Sequence, residues 1–98
     1  MRVIAKRTLR EFWVDYPDAM EPLLAWYQEA LRANWPNPHA IKEQYRNASI
    51  VQGGRVVFNI AGNKYRLVVK IDYSRGNVYI RFIGTHRQYD RIDVETVL

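Results

Sequence analysis

The stretch RVVFNIAGNKYRLVVKIDYSRGNVYIRFIGTH, residues 55–86, decides the fold. It holds three runs rich in β-branched and aromatic residues, at Arg55–Ile60, 65–73 and 78–83. Two turn-forming clusters separate them, Ala61-Gly62-Asn63-Lys64 and Ser74-Arg75-Gly76-Asn77. Connections this short join antiparallel neighbours, because a parallel crossover needs a dozen residues or more. Ile50-Val51, set off by Gln52-Gly53-Gly54, adds a strand upstream. The second half of the chain therefore reads as a β-meander.

Upstream the apolar spacing changes to that of helices. Leu9, Phe12, Trp13 and Tyr16 fall on one helical face behind a capping box at Thr8 and Glu11, and Pro17 closes that helix. Asp18 and Glu21 mark a second start, with Pro22 tolerated in the first turn and an apolar stripe at Leu23, Leu24, Tyr27, Ala30 and Leu31. The two segments form a helical hairpin suited to cover a sheet. Asn34-Trp35-Pro36-Asn37-Pro38 is a loop, since two prolines in three positions defeat a helix, and Asn37-Pro38 then opens a short helix through Tyr45. Val3 and Ile4 form a brief opening strand.

The expectation is thus one α+β domain over residues 1–98: an N-terminal helical hairpin packed on a mainly antiparallel sheet, closed by a short C-terminal helix. No repeat, low-complexity tract or linker interrupts it. The sequence contains no apolar run long enough to span a membrane, and MRVIAKRTLREFW meets charge before a signal-peptide core could form. It has no cysteine, which excludes disulfides, iron–sulfur clusters and thiolate zinc sites. A cytoplasmic protein without metal or cofactor is the expectation.

The net charge of +5 is unevenly placed. Residues 1–52 carry seven Lys/Arg against six Asp/Glu, whereas residues 53–91 carry eight Lys/Arg against only Asp72 and Asp90. A field of that kind attracts nucleic acid, an anionic membrane surface or an acidic partner. Strand alternation locates it. Tyr65, Leu67, Val69, Ile71 and Tyr73 share one face with Val78, Ile80 and Phe82. Arg66, Val68, Lys70 and Asp72 share the other with Tyr79, Arg81 and Ile83. Cations gather on the face turned away from the helices.

The last strand ends at Gly84, and Thr85 with Gln88 forms a capping box for a short terminal helix. His86 falls in its first turn, where free N–H groups favour an anion, and Tyr89 lies three residues on, on the same face. RNA cleavage without metal needs a base for the 2′-hydroxyl, an acid for the departing 5′ oxygen, and cations around the five-coordinate phosphate. An imidazole, with a reference pKa of about 6.5, suits the proton transfers, and a guanidinium fork suits the phosphate. Arg66, Arg81, Lys64, His86 and Tyr89 contain all these parts.

Those residues also carry a resemblance. VFNIAGNKYRLVVK, residues 57–70, followed by YIRFIGTHRQYD, residues 79–90, is similar to HigB-type toxins, as are the surroundings of Trp35 and Tyr45 with Asn47-Ala48. The resemblance spans almost the whole chain. It implies a RelE-like fold and cleavage of mRNA in the ribosomal decoding site, neutralised by a HigA-type helix-turn-helix antitoxin. By position it implies that Arg66 binds the scissile phosphate, and that His86 and Tyr89 transfer protons or order the attacking group. Lys64, Lys70, Arg81 and Arg87 then contact RNA or phosphate. Which residue is base and which is acid stays open, and Gln88 stands where such toxins often carry an acidic residue.

Plainer readings compete at each position. Arg66, Lys70 and Arg81 could form the solvated face of a one-sided sheet, with Asp72 pairing Lys70. Lys64 could be an ordinary turn lysine, Tyr89 could pack on the sheet edge, and His39 reads as a surface residue. Trp13 belongs to a core face, whereas Trp26 and Trp35 could touch a partner protein. For the whole chain the alternatives to a ribonuclease are a non-catalytic RNA-binding module, for which Tyr79 is the one obvious stacking residue, and a docking surface for an acidic protein.

Overall fold

The computed structural model describes residues 1–97; Leu98, the end of the expected domain, lies outside the described residues. Five strands form one sheet: β1 (Arg2–Ile4), β2 (Ser49–Val51), β3 (Arg55–Ile60), β4 (Tyr65–Asp72) and β5 (Asn77–Thr85). Their spatial order is β1-β5-β4-β3-β2. The pairs β2–β3, β3–β4 and β4–β5 are antiparallel, as the short turns require, and β1 lies parallel to β5 at the edge. The helices are α1 (Lys6–Asp15), α2 (Met20–Arg32), α3 (Pro38–Gln44) and α4 (His86–Tyr89), with a 3-10 turn at Pro17–Ala19 between the first two. This is the α+β arrangement expected from the sequence, with the helical hairpin on a mainly antiparallel sheet and a short last helix.

The hairpin packs on the sheet face that carries Tyr65, Leu67, Val69 and Ile71, all buried. From α1 it contributes Leu9, and from α2 Leu23, Trp26 and Ala30. The buried stripe of α2 thus runs 23, 26, 30. Leu31, expected inside, is exposed, and Trp26, expected beside the stripe, is fully buried. Its ring meets Phe58 edge-on at 5.4 Å, while Trp35 stacks on Phe58 at 6.0 Å and Tyr45 meets it at 5.1 Å. Trp26 and Trp35 are therefore core residues rather than partner contacts. Each aromatic pair adds about 0.5–1.5 kcal/mol beyond its buried area.

Helix starts follow two patterns. Asn37 caps α3 as expected, its side-chain oxygen accepting from the Ala40 amide at 3.1 Å with Pro38 at the first helical position. In α1, however, the helix begins two residues before Thr8, with Ala5 at the cap, and the Thr8 amide donates to the Ala5 carbonyl at 3.2 Å. Glu11 pairs with Arg7 instead of closing a capping box. The α2 C-terminus is satisfied by the Met1 amino group, which donates to the carbonyls of Ala30 at 3.0 Å and Ala33 at 2.8 Å. A positive charge there complements the helix dipole. Among the described residues no helix is long and apolar enough to cross a membrane.

The opposite sheet face is less open than alternation implies. Val57 and Val68, paired on that face, are both buried, yet neither belongs to the core beneath the helices. Phe82 stands opposite Val68. The segment after α4 reaches from β5 back to β3, where the buried Arg55 guanidinium donates to the Val97 carbonyl. This segment and Phe82 cover the middle of the face, leaving cationic ground at its two ends.

Candidate active site

One end is built on the β3–β4 turn. Ala61 and Gly62 both adopt positive φ, 54° and 67°, the conformation that reverses the chain tightly between paired strands. Arg66 follows as the second residue of β4, opposite Asn59 on one side and Gly84 on the other. Its guanidinium folds back and donates to the carbonyls of Asn63 at 3.0 Å and Tyr65 at 3.2 Å. The His86 amide donates to the next carbonyl, that of Lys64, at 3.2 Å. The guanidinium and the start of α4 are thereby moored to consecutive peptides. Among the described residues no carboxylate pairs with Arg66, so its remaining N–H groups can meet an anion.

His86 is exposed, and its Nδ1 lies 3.1 Å from a carboxylate oxygen of Asp90, one helical turn on. That spacing lets the two side chains form an ion pair when the imidazole carries its second proton. Tyr89, three residues on from His86, is half-buried. The anion site expected at the α4 N-terminus is also largely used up. Gln88 N–H donates to Thr85 Oγ1 at 3.1 Å, Thr85 N–H donates to Gln88 Oε1 at 2.8 Å, and the His86 amide is taken by Lys64. The capping box itself forms as expected.

Lys64 is turned away from Arg66. Its ammonium pairs with Asp18 in the 3-10 turn, and the same carboxylate accepts from the Tyr65 hydroxyl. The Lys64 and Tyr65 hydrogen bonds hold Asp18 below the ordinary carboxylate range. In return the Asp18 carboxylate, aided by burial, pushes the Tyr65 phenol up to about 12. The cluster ties the β3–β4 turn to the helical layer. A phosphate role for Lys64 would have to compete with Asp18.

Lys70 and Arg81 occupy the other end of the face. Arg66 and Lys70 are four residues apart on β4, roughly 13 Å. The pairing slips at Val68/Val69, where Val68 faces Phe82 and Val69 faces Ile80, so Arg81 is the extra residue of a β-bulge. The bulge reverses the alternation beyond it. Phe82 joins Val68 on the face away from the helices, and Ile83 packs against the core, the opposite of the expected assignment. Arg81 stays with Tyr79, its guanidinium 5.4 Å from the ring centroid. Asp72 accepts from Ser74 and Arg75 rather than pairing with Lys70. Arg87 is exposed on α4.

The candidate residues thus divide: Arg66 and the start of α4 at His86 by the β3–β4 turn, Lys70 and Arg81 toward the far end, Lys64 against Asp18. A pocket of about 750 Å³ between α1, β5 and α4, lined by Phe12, Tyr16, Phe82 and Gln88, contains none of them. Sequence reasoning missed the roles of Asp18, Asp90 and Arg55. Only Asp90 carried a local signal, its four-residue spacing from His86.

Comparison with known proteins adds an independent line. A family model described as HigB_toxin, the RelE-like toxic component of a toxin–antitoxin system, matches residues 19–92. The chain is similar to the mRNA interferase toxin HigB of Escherichia coli strain K12, with 25% identity over 92 residues, 92% of this chain and 88% of the relative. Proteins named mRNA interferase HigB from Escherichia coli O157:H7 and Shigella flexneri match at the same identity and coverage.

Proposed function

The chain belongs to the HigB toxin family, the RelE-like toxic component of a toxin–antitoxin system, and on that premise we propose that it is an endoribonuclease that cleaves mRNA on the ribosome. In this reading residues 1–98 act as one toxin domain in the cytoplasm, and a HigA-type helix-turn-helix antitoxin restrains it. The names of its relatives, mRNA interferases, support the reaction class. The observation that carries the reading is the mooring of Arg66 and His86 to consecutive peptides of the β3–β4 turn. In this reading one phosphodiester lies over that turn, against the guanidinium and the first residue of α4.

The reaction follows from their chemistry. Arg66 binds the non-bridging oxygens of the scissile phosphate and stabilises the charge that builds as the 2′-oxygen attacks. His86, with the Asp90 carboxylate beside its Nδ1, takes the proton of the 2′-hydroxyl or gives one to the departing 5′ oxygen. Tyr89 supplies a second hydroxyl beside the helix start. Lys70, Arg81 and Arg87, with Lys64 where it escapes Asp18, contact the flanking phosphates. The P–O5′ bond breaks, leaving a 2′,3′-cyclic or 3′ phosphate and a 5′ hydroxyl. Side chains supply every step, so no metal is called for.

The test is to produce the chain without an antitoxin and map 5′ ends of cellular mRNA. Cuts phased with the reading frame that vanish in Arg66→Ala and His86→Ala support the proposal. Intact mRNA with stalled translation contradicts it.

A further inference from the structure

The far cationic end of the sheet face presents an aromatic ring from the sheet itself. Tyr79 projects from β5 directly opposite Lys70 of β4, and both lie on the face away from the helices. The β-bulge keeps Arg81 on that side, its guanidinium over the Tyr79 ring at 5.4 Å. Asn77 donates to the Tyr79 hydroxyl at 3.1 Å and holds the ring in place. Lys70, Tyr79 and Arg81 line a recess of about 500 Å³ together with Asp72, Tyr73 and Ser74. Asp72 is occupied by Ser74 and by the backbone and side chain of Arg75. Among the described residues Lys70 and Arg81 therefore have no ion-pair partner.

We propose that this recess is a nucleobase subsite, in which the Tyr79–Arg81 pair stacks one base of a single-stranded RNA and Lys70 binds the adjoining phosphate. Bases unstacked from a single strand pack on aromatic rings and on guanidinium planes, and cations beside such a platform track the backbone. The assignment rests on the ribonuclease reading for its direction. Arg66 lies on the same face roughly 13 Å along β4. An extended strand with its scissile phosphate at Arg66 thus delivers a neighbouring nucleotide to Tyr79. The covered middle of the face, Val57, Val68 and Phe82, separates the two contacts. The far recess then selects by base while the turn end does chemistry.

The probe is a fluorescent hexaribonucleotide with every 2′-hydroxyl methylated, which cannot be cut, set against an abasic hexamer of the same backbone and charge. Stacking one base is worth roughly 5- to 150-fold in affinity. Binding by anisotropy should show wild type preferring the base-bearing strand by that order. The preference should survive Tyr79→Phe, which keeps the ring, and disappear in Tyr79→Leu, which keeps apolar bulk without a π face. Lys70→Ala should weaken both strands alike. Equal binding of the two strands by wild type, or an undiminished preference in Tyr79→Leu, overturns the subsite. Cleavage is scored separately on translated mRNA. Base preference without cuts keeps the subsite and removes the ribonuclease; cuts with an unmoved preference in Tyr79→Leu do the reverse.

Discussion

Arg66 and His86 hang from neighbouring carbonyls: the guanidinium donates to Asn63 and the His86 amide donates to Lys64. One turn thereby holds the Arg66 guanidinium and the first residue of α4, and both its Ala61 and Gly62 sit at positive φ. Replacing Arg66 by Ala should lower the rate of cleavage about 10²–10³-fold, the usual effect of removing one donor to a developing oxyanion. Arg66→Lys should recover only part of it, because an ammonium cannot hold the carbonyls and a phosphate with one planar fork. Single-turnover rates on ribosome-bound mRNA measure both.

Asp90 gives a finer test of the His86 role. Its carboxylate lies 3.1 Å from Nδ1 of an exposed ring. Asp90→Asn removes the negative charge that would stabilise an imidazolium formed during proton transfer. We expect kcat to fall by about tenfold or more, a fraction of the 10²–10⁴-fold that a positioned acid or base contributes, with KM little changed. An unaltered kcat in Asp90→Asn would remove Asp90 from the mechanism.

The Asp18 cluster predicts how stability depends on pH. Asp18 is held below its ordinary value, so its contribution is present above about pH 4 and is lost as pH falls through the lowered value. Tyr65 is raised to about 12, so its contribution is intact below about pH 10 and is lost as pH rises through 12. Asp18→Asn should flatten the acid limb of a Tm-against-pH curve and lower Tm at neutral pH. An acid limb identical to wild type would show that other carboxylates govern it.

How far the sequence alone reveals this arrangement can be judged at particular residues. Turn chemistry at 61–64 and 74–77 and the alternation of β4 were enough to assign the meander and its two faces, because both signals are local. Pro38 with Asn37, and Thr85 with Gln88, announced two helix starts for the same reason. The bulge at Arg81 was not legible: one extra residue in a strand leaves the pattern VYIRFIG unbroken, and only pairing with β4 exposes the reversal at Phe82. Asp18 with Lys64 and Arg55 with Val97 join residues 46 and 42 positions apart, beyond any local spacing rule. The Thr8–Glu11 box failed because the chain leaving β1 enters helix at Lys6, ahead of it.

Gly84 tests the link between sheet and last helix. A Cβ there would stand 2.5 Å from the Phe82 ring and 2.7 Å from the Gln88 oxygen that closes the capping box. Gly84→Ala should therefore cost about 1–3 kcal/mol from overpacking and a disturbed cap. Because His86 sits in that helix, cleavage should fall further than stability alone explains. Chemical denaturation beside the cleavage assay separates the two effects.

The most direct measurement uses the purified chain, ribosomes and one defined mRNA, and asks what ends the products carry. The account predicts 5′-hydroxyl ends and 3′ ends blocked by phosphate, produced by wild type and absent from Arg66→Ala and His86→Ala. Products bearing 5′ phosphates, or cutting that persists at wild-type rates in both variants, would contradict it.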